Sequence, residues 1–244
     1  MKIYDLIADN YERIFPLEKE KIDFIQKLIP PPAKIFDAGC ATGELALALY
    51  TAGYSVYGVD LNTAMITRAE QAAYLRHTQM QAAENTVEFY SEDMRSVRTQ
   101  KNLSAVLCFG NTLVHLPNRD EVSAFFTSVY ESLNPEGFFI FQILNYDKIL
   151  AEKRVSFQIK EDTNFIFKRR YEFPPGEKVD FIIEFTDKNT EKTQSDSTPL
   201  LPLQKNDLYL FLENAGFKNI RSYSDYKGTK SDLSEFATVY TAQK

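Results

Sequence analysis

Short apolar runs alternate with segments of helical period through the first third of the chain, and the pattern holds as far as Asn145. Leu17, Ile22, Ile25 and Leu28 or Ile29 recur near every 3.6 residues over 17–29, which predicts a helix. Pro30-Pro31-Pro32 stops it, because proline lacks the amide donor and clashes with the preceding turn. A buried strand follows at Lys34 to Asp37, then a glycine-containing loop and a helix over 44–50. Residues 55–60 read as a second strand ending in an acid. Residues 63–84, rich in Ala, Gln, Glu and Arg, read as a long helix. Strands are predicted at 87–92 and 103–110, a helix at 120–133, a turn at Asn134-Pro135-Glu136-Gly137 and a fifth strand at 138–144. Apolar strands joined by helices predict a parallel sheet covered on both sides.

The period changes beyond Asn145. Phe165, Phe167, Arg169, Tyr171 and Phe173 share one face of a strand, and Val179, Phe181, Ile183 and Phe185 share one face of the next. This predicts an antiparallel ribbon with one apolar side. Residues 186–198 are polar and read as a loop. A helix is predicted at 204–215 with Gly216 as its left-handed closing residue, then strands at 219–226 and 236–242. The expected fold is therefore α/β, a Rossmann-like, doubly wound, mostly parallel seven-stranded sheet with helices on both faces. Residues 1–146 and 201–244 form its main domain. Residues 147–200 form a small antiparallel β insertion after the fifth strand, a lid or wall over substrate or a small satellite core.

The loop Asp37-Ala38-Gly39-Cys40-Ala41-Thr42-Gly43-Glu44 lies between the first strand and its helix. Its glycines permit a tight turn and close approach of a ligand to the main chain, and the helix start behind them offers unpaired N–H groups. Asp60 ends the next strand, where an acid can accept hydrogen bonds from both ribose hydroxyls of a nucleoside. A plain tight turn with a capping acid is the bland alternative to either half; the two together at this spacing predict nucleoside binding. A dinucleotide is disfavoured, because the G-x-G-x-x-G pattern read from Gly39 meets Ala41 and Glu44, and the glutamate opposes a pyrophosphate by charge and bulk.

These residues resemble the class I S-adenosylmethionine-dependent methyltransferases, whose glycine-rich signature matches Asp37 to Gly43. The resemblance implies S-adenosylmethionine as cofactor and S-adenosylhomocysteine as product. It implies a cofactor site formed by Tyr11, Asp37, Gly39, Cys40, Ala41, Gly43, Asp60, Leu61, Met65, Asp93, Met94, Phe109, Gly110 and Asn111. Within that set, Asp60 takes the ribose, Asp93-Met94 meets the adenine edge, and Tyr11 reaches the cofactor carboxylate from a covering N-terminal helix. The segment Phe109 to Leu116 is similar to small-molecule N-methyltransferases of the glycine and sarcosine type. Glu136 stands where the family's turn usually has a second glycine. Tyr4, Asn145 and Arg169 are candidate substrate contacts, Arg169 through a bidentate bond to a carboxylate. His115 is the candidate general base; packing as a neutral histidine is the alternative. His77 is expected to be solvated, and Cys40 and Cys108 to act as small apolar filling.

Other features narrow the function. The net charge of −6 and the short basic run Lys168-Arg169-Arg170 argue against a nucleic-acid partner. Gly110-Asn111-Thr112-Leu113 replaces the Asn/Asp-Pro-Pro-Tyr/Phe of exocyclic-amine methyltransferases, and no acid occurs at 104–112, so no catalytic metal is expected. No apolar stretch approaches the ~20 residues of a membrane span, and two cysteines are no disulfide framework. A cytoplasmic monomer or homodimer acting on a small molecule is the expectation. A non-catalytic S-adenosylmethionine-binding protein and a protein methyltransferase remain open alternatives.

Overall fold

The computed structural model describes residues 2–79, 84–153, 156–232 and 234–244. The chain starts with α1 (Lys2–Ile7), a 3-10 turn (Ala8–Asn10) and α2 (Tyr11–Ile14), followed by α3 (Lys19–Leu28). The alternating part follows as β1 (Lys34–Ala38), α4 (Glu44–Thr51), β2 (Ser55–Asp60), α5 (Thr63–Gln79), β3 (Val87–Ser91), β4 (Leu103–Cys108), α6 (Arg119–Ser132) and β5 (Leu133–Leu144). The insertion holds α7 (Tyr146–Glu152), β6 (Lys160–Glu161), β7 (Phe165–Glu172), β8 (Val179–Asp187) and β9 (Lys192–Leu200). The chain closes with α8 (Lys205–Ala215), β10 (Lys218–Tyr223) and β11 (Ala237–Gln243).

The main sheet runs β10-β11-β5-β4-β1-β2-β3. All pairs from β3 to β5 are parallel, and β11 is antiparallel to both its neighbours. Alternation on each strand feeds two cores. Ile35 and Ile140 face α3, α4 and α5 with Leu45, Leu49 and Ile66. Phe36, Phe139 and Phe141 face α6 and α8 with Phe125, Phe126 and Leu212. This is why the strands read as continuous apolar runs. The chain leaves β1 towards β2 and β3, then returns to β4 on the other side of β1. That reversal opens a crevice at the carboxyl ends of β1 and β4, where ligands of doubly wound sheets bind.

Several boundaries differ from the sequence-based expectation. The helix expected over 63–84 is described to Gln79; residues 80–83 lie outside the described residues. β5 begins at Leu133, pairing it with Leu103, so the expected turn at 134–137 is an irregularity within the strand, with Glu136 at φ 63°. The expected loop at 186–198 is largely strand: β8 runs to Asp187 and β9 pairs with it from Lys192 to Leu200. As an edge strand β9 has one neighbour and carries Lys, Thr, Gln and Ser, so it lacks an apolar signature. The α7 helix had no counterpart in the sequence reading.

The inner face of the insertion sheet packs on the N-terminal segment. Phe165, Phe167, Ile183 and Phe185 share a buried cluster with Ile7, Ala8, Ile14 and Met65. Arg13 pairs with Asp162, and Arg68 of α5 pairs with Asp9, tying the segment to both sides. No helix among the described residues is long and apolar enough to cross a membrane.

Candidate active site

The loop after β1 is shaped by three left-handed residues, Gly39 (φ 78°), Ala41 (φ 48°) and Gly43 (φ 77°). A Cβ on Gly39 would lie 2.6 Å from Thr112 Cγ2, and one on Gly43 2.6 Å from Phe89 Cζ. Both positions therefore require glycine for space as well as for conformation. The Gly39 and Cys40 amides both donate to the Val59 carbonyl, at 2.8 and 2.9 Å, which binds the loop to the end of β2. Gly43 opens α4 without a side-chain cap.

Asp60 stands across this loop. Its carboxylate accepts from the Ala41 amide at 3.0 Å and the Asn62 amide at 2.8 Å. Burial raises its pKa, and those two bonds oppose the shift. Asn62 in turn accepts from the Met65 amide at 2.9 Å and donates to Asp5 of α1 at 2.8 Å. Leu61, between Asp60 and Asn62, is 69% exposed. An apolar side chain left bare beside a nucleoside-type acid fits an adenine face. This donor and acceptor set fits an adenosyl group. Glu44 at the first turn of α4 does not fit a pyrophosphate.

Asp37 is 3% exposed. Burial lifts its carboxyl to about 7, with Lys21 lowering it and Asp60 raising it. Lys21 was not anticipated. It projects from α3 towards Asp37 and Glu44, with Nζ over the rings of Phe109 at 5.1 Å and Tyr226 at 5.3 Å. Burial lowers its pKa. No motif marked it, because it belongs to a helix that precedes β1 and reads as an ordinary amphipathic lysine.

On the other side of the crevice, Gly110 (φ 70°) and Asn111 (φ 64°) follow β4. Gln142 of β5 holds them, accepting from the Gly110 amide at 3.1 Å and the Asn111 amide at 3.3 Å. A Cβ on Gly110 would meet nothing within 4 Å. Thr112 donates to the Phe109 carbonyl at 2.7 Å. His115 ends the 3-10 turn Thr112–His115 at the surface.

The remaining anticipated residues divide. Tyr11 is half-buried, stacks near Phe15 at 5.0 Å, and has its hydroxyl pushed up by burial and by the nearby Tyr4, Asp60, Cys40 and Asp37. Asp93 caps the 3-10 turn Met94–Thr99 and is clamped by Arg95, whose Nε and Nη2 donate at 2.8 and 2.7 Å. Arg95 also bonds Glu121 at 2.7 Å. These bonds hold the Asp93 carboxyl low. Met94 is buried, and Met65 is buried beneath the N-terminal segment. Cys40 and Cys108 are buried, and burial raises both thiols. Asn145 caps α7 through the Lys148 amide at 3.1 Å and donates to the Glu235 carbonyl at 3.1 Å. Those bonds tie the start of α7 to the segment before β11. His77, expected to be solvated, is exposed but bonded to the Tyr50 hydroxyl at 2.9 Å.

Tyr4 and Arg169 meet at the insertion. Burial raises the Tyr4 hydroxyl to about 12, with Asp60 and Asp196 adding to the rise and Arg169 opposing it. The Arg169 guanidinium lies over Phe157 at 4.7 Å, Phe15 at 5.1 Å and Phe167 at 5.5 Å. Among the described residues it forms no ion pair, and its Nε is buried without a partner. Among the described residues, no group of three or more His, Cys, Asp and Glu side chains is placed to hold a metal ion.

The sequence matches the family described as "Methyltransferase domain" over residues 35–137. A glycine/sarcosine N-methyltransferase from Halorhodospira halochloris is 26% identical over 227 residues, covering 91% of this chain and 79% of that protein. Another from Aphanothece halophytica is 28% identical over 227 residues, covering 91% of this chain and 80% of that one. In fold, an S-adenosylmethionine-dependent methyltransferase from Clostridium acetobutylicum superposes with a TM-score of 0.78 at 20% identity, covering 99% of this chain and 98% of that one. Residues 35–137 thus match a methyltransferase domain, and the relatives, together with the glycine loop facing Asp60 across a doubly wound sheet, support a class I, Rossmann-like S-adenosylmethionine-dependent methyltransferase.

Proposed function

We propose that the chain transfers a methyl group from S-adenosylmethionine to a nitrogen or oxygen of a small molecule by in-line displacement. The observation that carries this is the Asp60 carboxylate, fixed by the Ala41 and Asn62 amides beside the loop Gly39 to Gly43. When bound, S-adenosylmethionine supplies a methyl group on a cationic sulfur that is already a good leaving group. Asp60 keeps lone pairs for ribose hydroxyls. Leu61 and Met94 offer apolar surface to the adenine, and Asp93 an acceptor at its edge. The main chain around Gly39 and Gly43, bare of side chains at both glycines, lets the methionyl end approach closely, and Tyr11 and Lys21 hold it. Lys21 supplies a cation for a carboxylate there, and Asp37 an anion for an ammonium.

The chain's main task is then to align acceptor, methyl and sulfur and to exclude water, which supplies roughly 7–11 kcal/mol of barrier lowering. The N-terminal segment and the insertion close over the crevice for that purpose. Arg169, caged by three rings and without an ion pair among the described residues, receives an acceptor carboxylate. His115 serves as general base, drawing a proton from the acceptor. The similarity to enzymes named glycine/sarcosine N-methyltransferase supports nitrogen as the acceptor atom.

Thermal unfolding with S-adenosylmethionine, S-adenosylhomocysteine and NAD tests the reading. Ligand at ~100 times its dissociation constant adds about 2.7 kcal/mol, a midpoint rise of roughly 5–10 °C for a chain of this size. A rise with both adenosyl ligands and none with NAD is expected. No rise with either adenosyl ligand in cofactor-free protein would refute the proposal.

A further inference from the structure

Antiparallel register places Arg169 of β7 opposite Ile183 of β8, and Ile183 opposite Asp196 of β9. Directly opposed residues share a face, so Arg169, Ile183 and Asp196 form one row across the inner face of the insertion sheet. Tyr171, Phe181 and Thr198 form the next row on that face. Among the described residues, five buried side-chain polar atoms lack a hydrogen-bond partner, and three of them belong to these two rows: Arg169 Nε, Asp196 Oδ2 and Thr198 Oγ1. Folded chains pair buried polar groups as a rule, so orphans gathered on one face indicate partners that the fold itself does not supply. Asp196 Oδ1 is occupied, accepting the Ser197 amide at 2.9 Å, which steadies the carboxylate and leaves Oδ2.

The two charges do not neutralise each other. One strand, carrying the buried Ile183, separates them, which sets their backbones on the order of 10 Å apart. The guanidinium is fixed by its aromatic cage rather than drawn across to Asp196. The α1 helix lies against β8 and β9, and the Tyr4 hydroxyl on it senses Arg169, Asp196 and Asp60 together. The row therefore faces α1 and not bulk solvent.

We propose that the Arg169–Ile183–Asp196 row is a two-pole acceptor site, selecting an elongated dipolar molecule whose anionic group meets Arg169 and whose protonated amine meets Asp196. This rests on the methyltransferase reading above. It excludes an α-amino acid spanning both poles, since its charges are too close together to reach Arg169 and Asp196 at once. Ile183 between the poles selects a methylene chain.

The test is calorimetric binding to the intact protein loaded with S-adenosylhomocysteine, using linear ω-aminocarboxylates of increasing length with matched alkylcarboxylates and alkylamines as probes. Failure of S-adenosylhomocysteine to bind would refute the methyltransferase reading. Once it binds, the remaining outcomes bear on the acceptor site alone. The expected result is an optimum chain length at which the ω-aminocarboxylate binds at least about tenfold more tightly than either matched singly charged probe. Asp196→Asn, which keeps the acceptor for the Ser197 amide, should reduce the ω-aminocarboxylate to the affinity of the alkylcarboxylate. Arg169→Gln should reduce it to that of the alkylamine. Equal affinities across the series, no binding of any ω-aminocarboxylate, or an unchanged preference in Asp196→Asn would overturn the proposal.

Discussion

The Asn111 side-chain amide donates to the Tyr146 hydroxyl oxygen across 3.0 Å. Its own oxygen accepts the Leu144 amide at 3.1 Å, which fixes the orientation of the Asn111 amide. Tyr146 and Tyr171 hydroxyls then meet at 3.0 Å. The loop after β4, the α7 helix and the insertion strand β7 are thus joined by one buried polar chain. Burial holds the Tyr146 hydroxyl up at about 12, so it remains a neutral phenol throughout.

Tyr146→Phe removes the acceptor and leaves the Asn111 donor unpaired. The expected cost is about 1–3 kcal/mol, a fall in Tm of roughly 2–10 °C. Thermal unfolding of the ligand-free protein measures it, and an unchanged Tm would show that the chain adds nothing to stability.

Asp60→Asn keeps one acceptor for the loop amides but loses the charge. S-adenosylhomocysteine affinity should fall on the order of 10–100-fold, with the far-ultraviolet dichroism unchanged. Titration calorimetry compares the two proteins; equal affinities would remove Asp60 from the ribose role.

Asp37 predicts a pH effect of definite sign. Its carboxyl is raised to about 7 in the fold from an ordinary 3.8. Well below 3.8 it is protonated in both states and contributes nothing. Between about pH 4 and pH 7 the unfolded chain ionises it while the fold does not, so stability falls as pH rises. Urea unfolding of the ligand-free protein at pH 5 and pH 8 should show this loss, and Asp37→Asn should diminish it. An identical pH slope in the variant would place the burial cost elsewhere.

His115 stands exposed at the end of the 3-10 turn Thr112–His115. As the general base it would act on the acceptor and not on the cofactor, so His115→Asn should lower kcat well beyond any change in cofactor affinity. Full turnover in the variant would retire it as a base.

Two glycines with similar backbone angles should respond differently to alanine. At Gly110 nothing lies within 4 Å of the added methyl, so the cost is the left-handed backbone alone, about 1–2 kcal/mol. At Gly43 the same backbone cost is joined by overlap with Phe89 and Ala69. Gly43→Ala should be the more damaging by about 1–3 kcal/mol, as chemical unfolding of both variants would show.

The parallel core was legible because its physics is local. Strands buried on both faces must be continuously apolar, as at 103–108, and a left-handed helix end selects glycine, as at Gly216. The nucleoside loop was legible for the same reason: Gly39 and Gly43 answer to backbone geometry, and Asp60 to the end of a strand. Edge strand β9 was not, since a polar strand with one neighbour has no periodic signature. The Asn134 to Gly137 turn was misread because the pairing of Leu133 with Leu103 extends β5 through it.

Sequence alone thus determined the parallel sheet and the glycine loop after β1. Tertiary structure decided what surrounds them. Lys21 comes near Asp37 only because α3 packs against α4, and Asn145 caps α7 because that helix starts there. Arg169 and Asp196, 27 positions apart in the chain, share a row only through the register of β7, β8 and β9. Contacts between residues distant in sequence leave no local pattern, since their free energy comes from the neighbours that folding brings together.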